Sequence, residues 1–146
     1  MLARGFRPRP NLRVFPGGWC PEAEAFKPAS IAGSKENLSG LLGKSVPSLT
    51  HALIVVLRPR EKRLTQAERE RYWRAFGVPL YEEIIDSAGK LLARECEAHD
   101  GLHVEFPGVA APDHDLETAS CGCGRKTPRL RFTGQAELER VAAYAR

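Results

Sequence analysis

The stretch LYEEIIDSAGKLLARECEAHDGLHV, residues 80–104, decides the fold. Leu80 to Ile85 has the length and the apolar content of a strand. Asp86-Ser87-Ala88-Gly89 supplies turn residues, and Lys90 to Glu97 runs back as the partner, so the spacing predicts a β-hairpin. A second short apolar segment, Leu102 to Phe106, carries His103 and stops at Pro107 before a loop containing Gly, Ala, Pro and Asp.

Upstream of the hairpin, Thr65 to Phe76 reads as a helix. Thr65 and Glu68 stand in capping-box spacing, and Gly77 with Pro79 beyond it closes the segment. Tyr72, Trp73 and Phe76 are expected on its inner face, with Arg69, Glu70, Arg71 and Arg74 covering the rest. Thr50 to Leu57 is rich in Val, Ile and Leu over a strand-like length and suits a strand buried on both faces. A short helix is expected from Lys35 to Leu42, ended by Gly43. Residues 1–34 hold Pro8, Pro10, Pro16, Pro21 and Pro28 with Gly17-Gly18, and predict an extended arm that Trp19 pins to the body. Downstream, Pro128 to Phe132 reads as a last strand. Gln135 to Ala145 reads as a helix lined by Leu138, Val141, Ala142 and Ala145. The sum is an α/β or α+β fold: a small mixed sheet with a hairpin, two main helices and a cysteine knuckle, in one domain over residues 35–146.

Composition places bounds on this reading. A chain of 146 residues, 42% apolar and 27% charged, can bury one modest core. No apolar run reaches the ~20 residues of a membrane-spanning helix, and no secretory signal pattern is present at the start, which predicts a cytoplasmic protein without membrane association. The net charge of +4 is unevenly spread. Arg4, Arg7, Arg9 and Arg13 open the chain and Arg125, Lys126, Arg129 and Arg131 cluster later, whereas Glu95 to Glu117 holds no Lys or Arg. Such segregation is compatible with an anionic partner, although it more often marks a solvated surface.

The chemistry lies in Cys96-x6-His103-x17-Cys121-x-Cys123. Three sulfurs and one imidazole form a donor set that zinc accepts tetrahedrally, and four protein ligands leave no open position for catalysis. Three thiolates and a neutral imidazole around a divalent cation leave about one negative charge. Arg125 and Lys126 directly follow the knuckle and are expected to offset it. Cys96-x2-His99 is also a chelating spacing, and spacing alone does not choose between His99 and His103. Cys20, His51 and His114 stand apart in sequence and are assigned packing or surface roles. Glu95, Glu97, Asp100 and Glu105 are read as solvated surface rather than acid/base groups.

Three segments, LTQAERERYWRAFGVPLYE (residues 64–82), ECEAHDGLHV (95–104) and CGCGRKTPRL (121–130), together resemble parts of the phenylacetate-CoA ligase-like adenylate-forming enzymes. The resemblance covers about half of the chain. It implies zinc held by Cys96, His103, Cys121 and Cys123, which favours His103 over His99. It does not bring a complete enzyme. The family's Ser/Thr/Gly-rich phosphate loop has only Ser30 to Lys35 as a poor counterpart, and its Tyr-Gly-x-Thr/Ser-Glu run is replaced by Glu83-Ile84-Ile85-Asp86-Ser87. The lysine-bearing C-terminal domain that would follow Arg131 gives way to a helix pattern. Adenylation needs ATP phosphates and a carboxylate positioned together with their charge offset. A truncated, noncatalytic relative is therefore expected: a zinc-binding structural or interaction module with a protein partner. The alternatives are a fragment or subunit of an acyl-adenylating CoA ligase that needs a partner, and a basic zinc-knuckle protein binding nucleic acid, for which base-reading elements are missing.

Overall fold

The computed structural model describes residues 10–59, 61–105 and 116–130. Six strands form one mixed sheet in sequence order: β1 (Ser30–Gly33), β2 (Ala52–Leu57), β3 (Leu80–Ile85), β4 (Leu91–Glu95), β5 (Leu102–Val104) and β6 (Arg129–Leu130). Among the described residues three helices accompany them: α1 (Pro21–Phe26), α2 (Lys35–Ser39) and α3 (Gln66–Phe76). This is the expected small α+β fold. The described residues fall into two compact units, one running to Val55 and including Thr65–Leu80, the other made of Val56–Leu64 and the chain from Tyr81 onward.

In the first unit β1 and β2 are parallel, with Ile31 opposite Leu53 and Gly33 opposite Val55. The connection between parallel strands must cross over, and it carries α2. Ser34 caps α2 by accepting from the Asn37 N–H at 3.2 Å, and Leu38 is buried beneath it. α3 starts in the capping box that its sequence announces. The Glu68 N–H donates to Thr65 Oγ1 at 3.2 Å, and the Thr65 N–H donates to Glu68 Oε2 at 2.7 Å. It ends at Gly77, whose φ of 63° is the left-handed conformation that glycine adopts without steric cost.

Three local expectations change. Within residues 1–34, where an extended arm is expected, α1 and β1 form. Pro21 falls in the first turn of α1, where its missing N–H has no helical partner to lose, and β1 stands at the end of the strand order. On α3 only Tyr72 is buried, Phe76 is half-buried, and Trp73 is 58% exposed. Consecutive helical residues stand about 100° apart, so Tyr72 and Trp73 cannot both face inward. β2 is fully buried on one side only: Leu53, Val55 and Leu57 are buried, while Ala52, Ile54 and Val56 are half-buried.

In the second unit β3, β4, β5 and β6 are successively antiparallel. The hairpin turn closes as its residue types suggest, with Asp86 Oδ1 accepting the N–H groups of Ala88 and Lys90, each at 2.8 Å. The Glu82 carboxylate is fully buried and fully used. Its Oε1 accepts the Leu64 N–H at 2.7 Å, and its Oε2 accepts Arg63 Nε at 2.8 Å and Nη2 at 2.6 Å. Those bonds tie residues 63–64 to β3. The Glu82 N–H in turn donates to Glu95 Oε2 at 3.0 Å, across to the end of β4. The first nine residues, His114 with its loop, and the expected helix at Gln135 to Ala145 lie outside the described residues.

Candidate metal centre

Strand β4 delivers the first sulfur: the chain leaves Glu95, places Cys96 at 3% exposure, and turns, with the His99 N–H donating to the Cys96 carbonyl at 2.9 Å. It then enters β5, where His103 stands opposite both Arg94 of β4 and Arg129 of β6. A mid-strand position fixes the direction of the imidazole, which is completely buried. The two remaining sulfurs come from the knuckle Cys121-Gly122-Cys123-Gly124, closed by the Gly124 N–H donating to the Cys121 carbonyl at 2.9 Å. Paired N–H to carbonyl bonds between Glu117 and Arg129, at 2.8 and 2.9 Å, return the chain from the knuckle into β6.

These elements bring Cys96, His103, Cys121 and Cys123 together, with their four ligand atoms all within 4.8 Å of one another. Cys96 Sγ lies 3.6 Å from Cys121 Sγ, and Cys123 Sγ lies 3.4 Å from His103 Nε2. Three of the four are buried and Cys123 is half-buried. The cluster can hold a metal ion. All four cysteines of the chain are free thiols.

The imidazole is aimed by a neighbour that sequence reasoning did not single out. His103 Nδ1 sits 2.8 Å from Thr127 Oγ1 and 3.2 Å from the Thr127 carbonyl. A proton on Nδ1 donated to Thr127 leaves the Nε2 lone pair facing the sulfurs, the arrangement by which histidine ligands are oriented at metal sites. The thiols are unequal. Burial pushes the Cys96 thiol up to about 11, whereas the backbone N–H of Cys123 draws the Cys121 thiol down to about 6.

The rival histidine turns elsewhere. His99 has a positive φ of 50°, its Nδ1 is 3.1 Å from Glu95 Oε1, and its ring stacks on Tyr81 with centroids 5.2 Å apart. Arg125 and Lys126 are both exposed, and Arg125 Nη1 reaches Glu105 Oε1 at 3.3 Å. The buried cation near the cluster is instead Arg129, at 2% exposure. Cys20 is half-buried just ahead of α1, outside the cluster, and exposed His51 meets Thr50 Oγ1 through its Nδ1 at 2.9 Å.

Of the four acidic residues expected at a solvated surface, Glu97 is exposed, Asp100 and Glu105 are half-buried, and Glu95 is instead buried because it has a backbone donor to accept. Glu95 accepts from the Glu82 N–H, Asp100 pairs with Arg129, and Glu105 takes Arg94 Nε at 2.5 Å as well as Arg125. Among the described residues no helix is long and apolar enough to cross a membrane. The sequence matches no family model and no curated protein.

Proposed function

We propose that the chain is a noncatalytic zinc-binding module in which Cys96, His103, Cys121 and Cys123 hold one structural zinc ion. The single observation that carries this reading is the spacing of the donor atoms. A tetrahedral zinc with bonds of about 2.3 Å to sulfur and 2.0 Å to nitrogen has edges of roughly 3.8 Å between sulfurs and 3.5 Å between sulfur and nitrogen. Two of the separations in the cluster, 3.6 and 3.4 Å, lie within about 0.2 Å of those edges, and all four donor atoms lie within 4.8 Å of one another. Soft thiolates favour zinc over the hard cations that take oxygen ligands. Four protein donors fill the coordination sphere, which suits a structural ion.

The resemblance of residues 64–82, 95–104 and 121–130 to the phenylacetate-CoA ligase-like enzymes supports the same ligand set and a relationship by descent from their metal-bearing segment. The functional output of such a module is to present a surface to a protein partner, since the residues that would cradle ATP phosphates are missing from the matching positions. Its setting is the cytoplasm, where thiols stay reduced and available to zinc.

Metal analysis of the full chain purified without added zinc tests the reading. The wild type is expected to carry about one zinc per chain, His103→Ala and Cys121→Ser to lose it, and His99→Ala to keep it. Removing the ion with a chelator is expected to destabilise the protein by an amount on the order of 10 kcal/mol, the scale of structural zinc sites. Wild-type protein free of metal, or full occupancy in His103→Ala, would overturn the assignment. Pyrophosphate exchange from ATP with a carboxylic acid would overturn the noncatalytic part.

A further inference from the structure

Arg129 stands in a basic tract with Arg125 and Lys126, and by sequence it is an ordinary surface arginine. Its burial needs an explanation. A guanidinium removed from water is strongly disfavoured unless its charge and its donors are matched. Nη1 donates to the Asp100 carboxylate and, at 3.0 Å, to the Asp100 carbonyl, while Nη2 donates to the Ala119 carbonyl at 3.2 Å. Asp100 lies in the loop between Cys96 and His103, and Ala119 lies two residues before Cys121. One side chain thus fastens both ligand-bearing loops. Its own backbone is paired with His103 across the β5–β6 ladder.

We propose that Arg129 is the positioning residue of the metal cluster: it clasps the two loops into register and supplies the cation that balances three thiolates around a divalent ion. This inference rests on the zinc reading. The Nε of Arg129 is buried and has no hydrogen-bond partner among the described residues, which leaves one donor of the fork unspent. The hydrogen bond that Arg129 donates to Asp100 is the main influence favouring the charged guanidinium, and Cys121 also acts on it through space. Asp100 is 42% exposed, so water shares in solvating that carboxylate and the guanidinium's charge is not wholly offset there. A centre with three thiolates, one imidazole and a divalent cation carries about one negative charge, equal and opposite to Arg129. Arg125 is unsuited to the task because it is exposed and held by Glu105.

The test measures Zn2+ affinity of the full chain by competition with a chromophoric chelator, and the thiolate-to-metal charge-transfer band of the Co2+ form. Arg129→Met is expected to weaken Zn2+ binding by about 10- to 100-fold, the range for residues that orient metal ligands, and to shift the Co2+ band. Arg129→Lys keeps the charge and loses the planar fork, so it is expected to recover part of the affinity and remain about tenfold weaker than wild type. Arg125→Met is expected to bind as wild type. Should Arg129→Met fail to fold, the lysine variant decides. Lysine-variant affinity and Co2+ spectrum equal to wild type, or equal losses in Arg125→Met and Arg129→Lys, would overturn the inference while leaving the zinc site standing. A wild type that binds neither ion would remove the zinc reading itself.

Discussion

The two compact units bury different kinds of residue. In the unit built on β1, β2 and α3, the buried side chains include Leu38, Leu41, Leu49, Leu53, Val55 and Tyr72, and among the described residues none of them is charged. The four buried polar or charged side chains among the described residues, Glu82, Glu95, His103 and Arg129, all belong to the unit that holds the metal cluster. Apolar burial rewards any close contact, whereas a buried charge is tolerable only when its specific partners are in place. The first unit is held by area. The second adds matched polar pairs to an apolar core that includes Ile84, Leu92, Leu102 and Leu130, and its order is contingent on those pairs as well.

Removing a matched pair should therefore cost most. Glu82→Ala strips two donors of Arg63 and the Leu64 N–H of their acceptor, and is expected to lower unfolding free energy by about 4 kcal/mol in urea titration. A loss under about 1 kcal/mol would erase the contrast between the units. Leu53→Ala, at a fully buried position of β2, is expected to cost about 3 kcal/mol through lost transfer energy and a cavity. Zinc content should be unchanged in that variant, and a parallel loss of metal would show that the units do not differ as described.

The smallest effect belongs to the cap of α3. Thr65→Ala is expected to cost about 1 kcal/mol. The Thr65 backbone N–H holds the Glu68 carboxyl below its ordinary value of 4.5, against a smaller opposing effect of burial. A depressed carboxyl contributes its stability fully above the unfolded value and loses it as pH falls through the lowered folded value. The acid side of a stability–pH curve should accordingly flatten in Glu68→Gln. An unaltered curve would mean that the cap contributes no more at neutral pH than in acid.

Much of this was legible before any coordinates. The capping box, the Gly77 stop, the Asp86 turn and the run of β-branched residues in β2 are local signals whose physics acts within a few positions. The donor types were legible for a related reason, because clustered cysteines and histidines are rare enough to stand out, although spacing alone left His99 and His103 both open. The misleading signals share a cause. Pro21 interrupts helices in general, yet it suits a first turn. Trp73 has the composition of a core residue, but which side of α3 faces inward is set by tertiary packing. Arg129 has a surface residue's composition, and only the approach of Asp100 and Ala119 from distant loops makes its burial tolerable. Nothing local in the tract TPRLR announces them.

The knuckle itself carries a consequence for how kindred sequences would be recognised. Its two glycines are not equivalent. A methyl group at Gly122 would meet nothing nearer than Ala98 Cβ at 3.8 Å, while Gly124 adopts a φ of 83°, where a side chain is strained. Divergence should therefore scatter other small residues at position 122 and retain glycine at 124. The heritable signature is then Cys-x-Cys-Gly, and a search pattern written with both glycines would discard genuine cousins.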